Sequence, residues 1–323
     1  APASRRVDGC GAFEPTLWSR CSGATRWPAA EPGEMAADDD NAERRADRRR
    51  ELIVRTVSAL LLASIFVVAT IAGQWAFAGL AILLAVAAAW EWAGVVRGRG
   101  ADLAFLLQCL ATIAAVVLLL LSQPWWALVL LAAGIAVVAM LAGGDQPLWT
   151  AAGVGYIGLP SLALVWLHGD SGNGMLAVLF LVVVVAAADI GAFVSGRSIG
   201  GPRLWPALSP NKTWAGFVGG VMAAALTAFG FALSIGHVAP LRMVAIAVPL
   251  AIIAAAGDLF ESAVKRRFGK KDMSGLIPGH GGVLDRVDGL IVASMVAATA
   301  ALLADAAHPA VAVLGWPAVA GVP

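Results

Sequence analysis

The sequence predicts an all-α, polytopic integral membrane protein with about nine transmembrane helices. Of the 323 residues, 60% are hydrophobic and only 13% are charged, and the mean hydropathy is +0.83. Soluble domains are roughly half apolar and about a quarter charged, so this composition excludes an ordinary soluble domain. Apolar runs of about 20 residues, the length that crosses the hydrocarbon core as a helix, recur along the chain.

The first 50 residues differ in composition from the remainder. They are rich in Ala, Pro, Gly, Arg and Asp without helical or strand periodicity, so we expect a disordered leader at 1–50. They contain no apolar core of the signal-peptide type. Met35 opens a more ordinary sequence, so residues 1–34 are either translated upstream sequence or a natural disordered tail. We expect the transmembrane domain at 51–308 and a short apolar tail at 309–323, too short and proline-rich to cross the membrane.

Nine apolar segments are candidate membrane spans. Their approximate bounds are 52–72, 75–96, 103–121, 125–142, 151–167, 174–195, 213–235, 240–259 and 286–305. Pro160 interrupts the fifth segment and Pro249 interrupts the eighth. A proline is tolerated in a membrane helix where neighbouring groups satisfy the carbonyl that it frees.

The distribution of Lys and Arg predicts the orientation, because cytoplasmic loops carry an excess of both. With nine spans and a cytoplasmic N-terminus, every basic residue beyond residue 51 except Arg242 falls on the cytoplasmic side. The others are Arg55, Arg97, Arg99, Arg197, Arg203, Lys212, Lys265, Arg266, Arg267, Lys270, Lys271 and Arg286. The sequence therefore predicts a multi-pass protein of the cytoplasmic (inner) membrane. The net charge of +1 gives no indication of nucleic acid binding.

The histidines and cysteines do not predict a metal site. Under the same topology three histidines fall in outer loops or the tail, where solvated side chains are expected: His168, His237 and His308. His280 alone is cytoplasmic. The cysteines show no metal-ligand spacing and imply no disulfide framework; they are Cys10, Cys21 and Cys109.

Polar residues concentrate at the cytoplasmic ends of three spans. One helical face around the end of the eighth span carries Asp258, Glu261, Ser262 and Lys265, at i, i+3, i+4 and i+7. Asp285 and Asp288 share a face at the start of the ninth span. Asp189 lies about 22 Å into the sixth span at 1.5 Å per residue, which brings it to a similar depth. Ionisable groups inside a span are costly and usually mark a function.

These carboxylates predict a site for a hard cation and phosphate groups. Acids brought together repel one another unless a cation lies between them, and oxygen ligands favour Mg²⁺, which shares its shell with substrate phosphates. The surrounding bases suit polyanions: Lys265, Arg266, Lys270, Lys271 and Arg286. Glycines in "GLIPGHGG" allow backbone N–H groups to approach an anion; they are Gly275, Gly279, Gly281 and Gly282. A second loop repeats the pattern with Arg197, Arg203 and Lys212.

Two smaller features have two interpretations each. Glu91, near the inner end of the second span, either borders the site or pairs with a cytoplasmic arginine. Gly216 and Gly220 form a small-xxx-small pair in the seventh span. Such a pair permits close helix contact within the monomer or between the protomers of a homodimer.

The polar residues resemble the signature of the phosphatidate cytidylyltransferases, or CDP-diacylglycerol synthases. The matching positions are Ser262, Lys265, Arg266, Lys271, Asp272, Pro278, Gly279, His280, Gly281, Gly282, Asp285, Arg286 and Asp288. The segments "DLFES", "DIGAFVSGRSIGG" and "LSPNKTW" also resemble that family, and the similarity covers roughly residues 50 to 305. Two positions depart from it: Asn211 replaces a frequent basic residue and Ala215 a frequent Glu.

The resemblance implies that the chain converts CTP and phosphatidate into CDP-diacylglycerol and pyrophosphate, with Mg²⁺ and with room for a second cation. It implies membrane lipids as partners and a cytoplasmic active site. Metal ligands would be Asp258, Asp285 and Asp288. Substrate phosphates would be bound by Lys212, Lys265, Arg266, Lys271, Gly281, Gly282 and Arg286. His280 would orient a phosphate oxygen, and the remaining catalytic positions would be Asp189, Ser262 and Asp272.

Two alternatives remain open from the residues. A CTP-dependent polyprenol or phytol kinase would also need cytoplasmic acids and basic loops, and would release CDP instead of pyrophosphate. A secondary transporter could also carry acids in its spans. Transporter sites usually lie near the midplane of the bilayer in broken helices with internal repeats, whereas these acids lie at one edge and no repeat is visible.

Overall fold

The fold is described from a computed structural model, which covers residues 32–314 except 99, 143–145, 171, 237 and 278–280. The elements in chain order are α1 (Pro32–Ile71), α2 (Gln74–Val96), α3 (Leu103–Leu120), α4 (Pro124–Leu141), α5 (Pro147–His168), α6 (Gly174–Ile199), β1 (Arg203–Trp205), β2 (Ser209–Thr213), α7 (Trp214–Ile235), α8 (Pro240–Arg267), α9 (Leu284–Ala304) and α10 (Pro309–Leu314).

Eight of the described helices, α2 to α9, are long and apolar enough to cross a membrane. The chain is therefore a polytopic all-α membrane protein, as the sequence predicts. Within α1, the segment Thr56–Ile71 is apolar but shorter than a full span. The count of nine spans stays a prediction.

Two local features differ from the sequence prediction. Helix α1 begins at Pro32, so residues 32–50 are helical and not irregular, while residues 1–31 lie outside the described part. An antiparallel hairpin of β1 and β2 interrupts the otherwise helical chain. Helix α8 continues beyond the predicted span to Arg267, as the predicted helical face at 258–265 requires. Since its last turns carry the polar face, that face projects from a continuous helix.

The two prolines inside spans do not interrupt their helices. Pro160 lies within α5 and Pro249 within α8, and both helices are continuous. Proline removes one backbone donor in each case. Packing against neighbouring helices makes such a loss tolerable inside a membrane bundle.

Helix α7 separates into a bulky face and a face of small residues. Large apolar side chains such as Leu226 and Leu233 are exposed, which suits contact with lipid. The buried residues recur every fourth position: Gly216, Gly220, Ala224, Ala228 and Ala232. Without a strong hydrophobic force between helices in lipid, small residues stabilise helix pairs by letting the backbones approach closely.

Helices α6 and α7 use this face to pack against each other within the monomer. A Cβ atom on Gly220 would lie 2.7 Å from the carbonyl oxygen of Ala188, and one on Gly216 would lie 2.8 Å from that of Ala192. Larger side chains at either position would force the two helices apart. The intramolecular interpretation of the glycine pair is therefore confirmed.

Helices α8 and α9 are also close where the polar residues lie. A Cβ atom on Gly257 would lie 2.8 Å from the carbonyl oxygen of Asp288, and one on Gly289 would lie 3.3 Å from the Cβ of Ala254. A side chain at position 257 would therefore push the two helices apart where Asp258 and Asp288 lie within electrostatic reach of each other.

His168 is not the solvated loop residue that the topology suggests. It is the last residue of α5, it is only 8% exposed, and its Nε2 lies 3.0 Å from the carbonyl oxygen of Thr70. Its ring stacks on Phe77 with 4.4 Å between the ring centroids. The side chain is therefore part of the packing between α1, α2 and α5.

The segment 309–314 of the tail is a short buried helix. The backbone N–H of Ala310 donates to Asp170 Oδ2 at 2.7 Å, and Leu314 is fully buried. Residues 315–323 lie outside the described part.

We expect Gly220→Leu to destabilise the protein, because the new side chain would meet the α6 backbone. Overpacking of this kind typically costs about 1–3 kcal/mol. The measurement is the thermal unfolding temperature of the detergent-solubilised protein. The matched control is Gly230→Leu on the same helix, where an added Cβ meets nothing within 4 Å. Equal destabilisation by both substitutions would contradict the close α6–α7 contact.

Candidate active site

Lys265 joins the ends of α8 and α9. Its Nζ lies 2.9 Å from Glu261 Oε1, one turn earlier on α8, and 2.8 Å from Asp285 Oδ1 at the start of α9. The Lys265 side chain is 16% exposed, that of Asp285 is 9% exposed and that of Glu261 is fully buried. Charges with so little access to water need such partners, since an unpaired buried charge is strongly destabilising.

Asp285 also organises the loop before α9. Its Oδ2 accepts hydrogen bonds from the backbone N–H of Gly282 at 2.8 Å and of Met273 at 3.1 Å. The carboxylate therefore accepts from three groups of the protein: the ammonium of Lys265 and the two backbone N–H groups of the loop. This arrangement makes Asp285 an organising residue of the site.

The predicted phosphate-binding role of Gly281 and Gly282 does not match this geometry. The N–H of Gly281 donates to the carbonyl oxygen of Ile277 at 3.2 Å, and that of Gly282 donates to Asp285. Both donors are engaged within the loop. Gly281 has a φ of +83°, which favours glycine, and Gly282 has no room for a side chain. The structure thus gives the two glycines a role in the shape of the loop.

A second ion pair connects the hairpin to α8. Lys212 Nζ contacts Asp258 Oδ2, and the two side chains are 25% and 37% exposed. Lys212 lies on β2 directly before Thr213, whose hydroxyl caps α7 by accepting from the N–H of Gly216 at 3.0 Å. The cap fixes where the hairpin ends, and thereby places Lys212 beside α8.

Asp189 and Asp288 complete an acidic cluster with Asp258. Asp288 lies within electrostatic reach of both Asp258 and Asp189, and Asp189 within reach of Lys212 and Arg286. Asp288 Oδ1 accepts from the N–H of Gly289 at 2.7 Å. Carboxylates from α6, α8 and α9 therefore meet at one level of the bundle, as the sequence predicts.

An open cleft lies beside this cluster. It encloses about 510 Å³ of empty space, including the part open to solvent, and Asp189, Lys212 and Asp258 line it. Small and apolar residues of α6, α7 and α8, including Phe217 and Ala255, form most of the remaining wall, and Leu204 and Thr213 of the hairpin complete it. The cleft therefore brings charged groups and an apolar wall together.

The predicted metal ligands do not form one three-residue set. Among the described residues, no group of three or more His, Cys, Asp or Glu side chains has metal-binding geometry. Asp285 is already held by Lys265 and by two backbone donors. Asp258, with one oxygen in contact with Lys212, and Asp288 remain within electrostatic reach of each other. A pair of this kind fits Mg²⁺, which commonly binds one or two carboxylates together with water and substrate phosphates.

Glu261 adds a third acid beside this pair. Both of its carboxylate oxygens are buried and lack a hydrogen-bond donor among the described residues. The 2.9 Å approach of Lys265 is an ion pair without hydrogen-bond geometry. Asp288 lies close enough to repel Glu261. A cation between the acids would relieve this repulsion.

The remaining predicted residues lie around the cluster with differing exposure. Ser262 is half-buried on α8, and four further residues are exposed: Arg266, Lys271, Asp272 and Arg286. Their exposure is compatible with binding a substrate from the aqueous side. His280, Pro278 and Gly279 lie outside the described residues. The two positions that depart from the family pattern lie in or next to the hairpin. Asn211, on β2, is exposed, and Ala215, at the start of α7, is half-buried.

Tyr156 was not predicted. It is the only tyrosine of the chain and lies on α5, between Trp92 at 5.3 Å and Phe260 at 5.4 Å, measured between ring centroids. Its hydroxyl is buried without a hydrogen-bond partner among the described residues, within electrostatic reach of Glu261 and Asp288. The sole signal in the sequence is a tyrosine within an apolar span.

Comparison with known proteins identifies the family. A model of the cytidylyltransferase family matches residues 53–304. The phosphatidate cytidylyltransferase of Brucella suis is 37% identical over 244 residues, covering 75% of this chain and 90% of that protein. That of Haemophilus influenzae is 42% identical over 129 residues, covering 38% of this chain and 45% of that protein. The matched region contains every charged group described above, and the chain belongs to the cytidylyltransferase family.

Proposed function

We propose that the protein transfers the cytidylyl group of CTP to phosphatidate, giving CDP-diacylglycerol and pyrophosphate for phospholipid synthesis. The observation that carries the proposal is the meeting of acids and lysines from α6, β2, α8 and α9 at one end of the bundle. The relatives named above, which are phosphatidate cytidylyltransferases, support the choice of substrates.

The reaction requires no nucleophilic side chain. A phosphate oxygen of phosphatidate forms a bond to the α-phosphorus of CTP, and the bond between the α-phosphorus and the bridging oxygen breaks. The electron pair of that bond leaves with pyrophosphate. Since the lipid phosphate is already anionic, the barrier comes from bringing two polyanions together and from charge on the leaving group. Positioning and electrostatic stabilisation dominate such reactions.

Lys212 and Lys265 are the cations best placed to counter this charge. Each is held by a carboxylate, Lys212 by Asp258 and Lys265 by Asp285. Because the pairs hold the ammonium groups in place before substrate arrives, little reorganisation is needed during the reaction. The exposed Arg286, Lys271 and Arg266 would bind phosphates that arrive from the water. An arginine can do so with two parallel hydrogen bonds.

Asp258 and Asp288 would hold Mg²⁺, with Asp189 nearby. When bound, the ion would neutralise charge on the substrate phosphates and orient them. Asp285 would act differently from the sequence prediction, because its oxygens already accept from Lys265 and the loop. Its role would be to hold the start of α9 against Lys265.

The location of the site suits one lipid substrate and one soluble substrate. The acyl chains of phosphatidate would remain in the bilayer beside the apolar wall of the cleft, and the headgroup would meet CTP at the boundary with the cytosol. This arrangement requires the cytoplasmic orientation that the positive-inside rule predicts. The protein would then lie in the cytoplasmic membrane.

The first test is the reaction itself. Purified protein with labelled CTP, phosphatidate and Mg²⁺ should form labelled CDP-diacylglycerol and an equal amount of pyrophosphate. Product formation should stop when EDTA removes the divalent cation. Release of CDP with phosphorylation of a polyprenol or phytol would instead identify a kinase. Movement of a solute without consumption of CTP would identify a transporter.

The second test addresses the cation site. Asp258→Asn should lower turnover by about 100-fold or more, because an electrostatic group acting on the transition state is lost. It should also raise the Mg²⁺ concentration needed for half-maximal activity. The matched control is Asp305→Asn, a partly exposed carboxylate at the far end of α9. Unchanged Mg²⁺ dependence in the Asp258 variant would exclude Asp258 as a metal ligand.

The third test addresses the orientation. In a variant whose native cysteines are replaced, a cysteine at position 308 should react with a membrane-impermeant maleimide from outside intact cells. A cysteine at position 271 should react only after the membrane is permeabilised. Both positions are exposed, so reactivity depends on the side of the membrane. Labelling of both cysteines from the same side would exclude an odd number of crossings between them.

A further inference from the structure

Glu91 is a buried carboxylate that the proposed reaction does not use. It lies on α2, it is 1% exposed, and it accepts three hydrogen bonds. Its Oε1 accepts from the hydroxyl of Ser274 at 2.6 Å and from the N–H of Val283 at 2.7 Å. Its Oε2 accepts from the N–H of Leu284 at 2.8 Å. All three donors belong to the loop before α9 or to the first residue of α9.

These contacts cap α9 from a different helix. The first N–H groups of a helix have no partner within it. The residue before α9, Val283, provides no side-chain cap, and the N–H groups of Val283 and Leu284 point to Glu91 instead. A carboxylate is a suitable cap because it accepts several donors and carries the charge that a helix N-terminus favours. Glu91 therefore sets the position where α9 begins.

The backbone donor just before these two connects Glu91 to the active site. The N–H of Gly282 points to Asp285 Oδ2, while those of Val283 and Leu284 point to Glu91. A Cβ atom on Gly282 would lie 2.8 Å from Glu91 Oε2 and 2.9 Å from Asp285 Oδ2. The backbone thus passes between two carboxylates, one from α2 and one that binds Lys265.

We propose that Glu91 is a positioning residue for cytidylyl transfer. By tying Ser274 and the first turn of α9 to α2, it holds Asp285 against Lys265 and keeps Asp288, one turn further along α9, facing α8. This inference rests on the proposed function. Glu91 acts through other residues and does not touch the substrates.

Glu91→Gln tests the hydrogen bonds of Glu91 most directly, because it preserves the size of the side chain and replaces one acceptor oxygen by an NH₂ donor. Each oxygen of Glu91 accepts from the loop, so the amide nitrogen of Gln would face an N–H or hydroxyl donor in either orientation. We expect kcat to fall by about 10–100-fold, the range typical for residues that orient an active-site group. The KM for CTP should change less than about threefold, because the exposed phosphate-binding residues are intact.

Ser274→Ala provides the coupling test. It removes one of the three hydrogen bonds and should lower kcat by a smaller factor than Glu91→Gln. The double variant should be no slower than Glu91→Gln alone, because residues that act through one shared contact are not additive. Multiplied effects in the double variant would contradict action through the same loop.

Ser294→Ala is the matched control. Ser294 is fully buried on α9, the helix that Glu91 caps. Among the described contacts, its hydroxyl donates only to the carbonyl oxygen of Ile291. We expect its kcat to equal that of the wild type. A Glu91→Gln variant with wild-type kcat, or with a loss of folded protein that accounts for all of the lost activity, would overturn the proposal.

Hydrogen–deuterium exchange separates this proposal from the proposed function. Exchange across residues 273–286 should increase in Glu91→Gln and not in Ser294→Ala. If the wild type forms no CDP-diacylglycerol, the proposed function fails while the exchange result still tests the contact. If the wild type is active and exchange in this segment is unchanged in Glu91→Gln, the positioning role fails by itself.

Discussion

The site depends on the ion pairs of one buried lysine. Lys265 contacts Glu261 on its own helix and Asp285 on α9, so the ends of two membrane helices are joined through a single ammonium group. Each charge in this group would be strongly unfavourable alone in a nearly dry environment. Because Asp285 also accepts from the backbone N–H groups of Met273 and Gly282, it ties these two positions of the loop to α9.

Glycine at the helix contacts makes this arrangement geometrically accessible. Gly257 and Gly289 let α8 and α9 approach, and Gly220 lets α7 approach α6. Acids on three different helices can then lie within electrostatic reach of one another. A bilayer provides little hydrophobic force between helices, so close backbone packing stabilises the bundle and also concentrates charge. Stability and site assembly therefore depend on the same small residues.

The carboxylates in and around the site are of two kinds. Glu91 and Asp285 accept several donors from the protein and hold the loop, whereas Asp258, Asp288 and Asp189 face one another with fewer donors. The first kind is suited to positioning. The second kind is suited to a cation shared with substrate phosphates, because mutual repulsion is relieved when the ion is present.

The sequence by itself determined the class of the protein and the composition of its site. Apolar runs of membrane-spanning length predicted the helical bundle, and the spacing of Asp258, Glu261 and Lys265 predicted one polar face, because both follow from the helical repeat. The signature residues predicted the family. All of these features are local in the chain.

Only the tertiary structure decided which partner each charged group takes. Glu91 lies 192 residues before Val283 in the chain, and no local pattern could show that it caps α9. For the same reason the sequence did not predict that Asp285, an expected metal ligand, pairs with Lys265, or that the N–H of Gly282, an expected phosphate donor, donates to Asp285. The hairpin that carries Lys212 was also missed. Hydrogen bonds and ion pairs are short-ranged and directional, so they depend on distances between helices that the sequence does not specify.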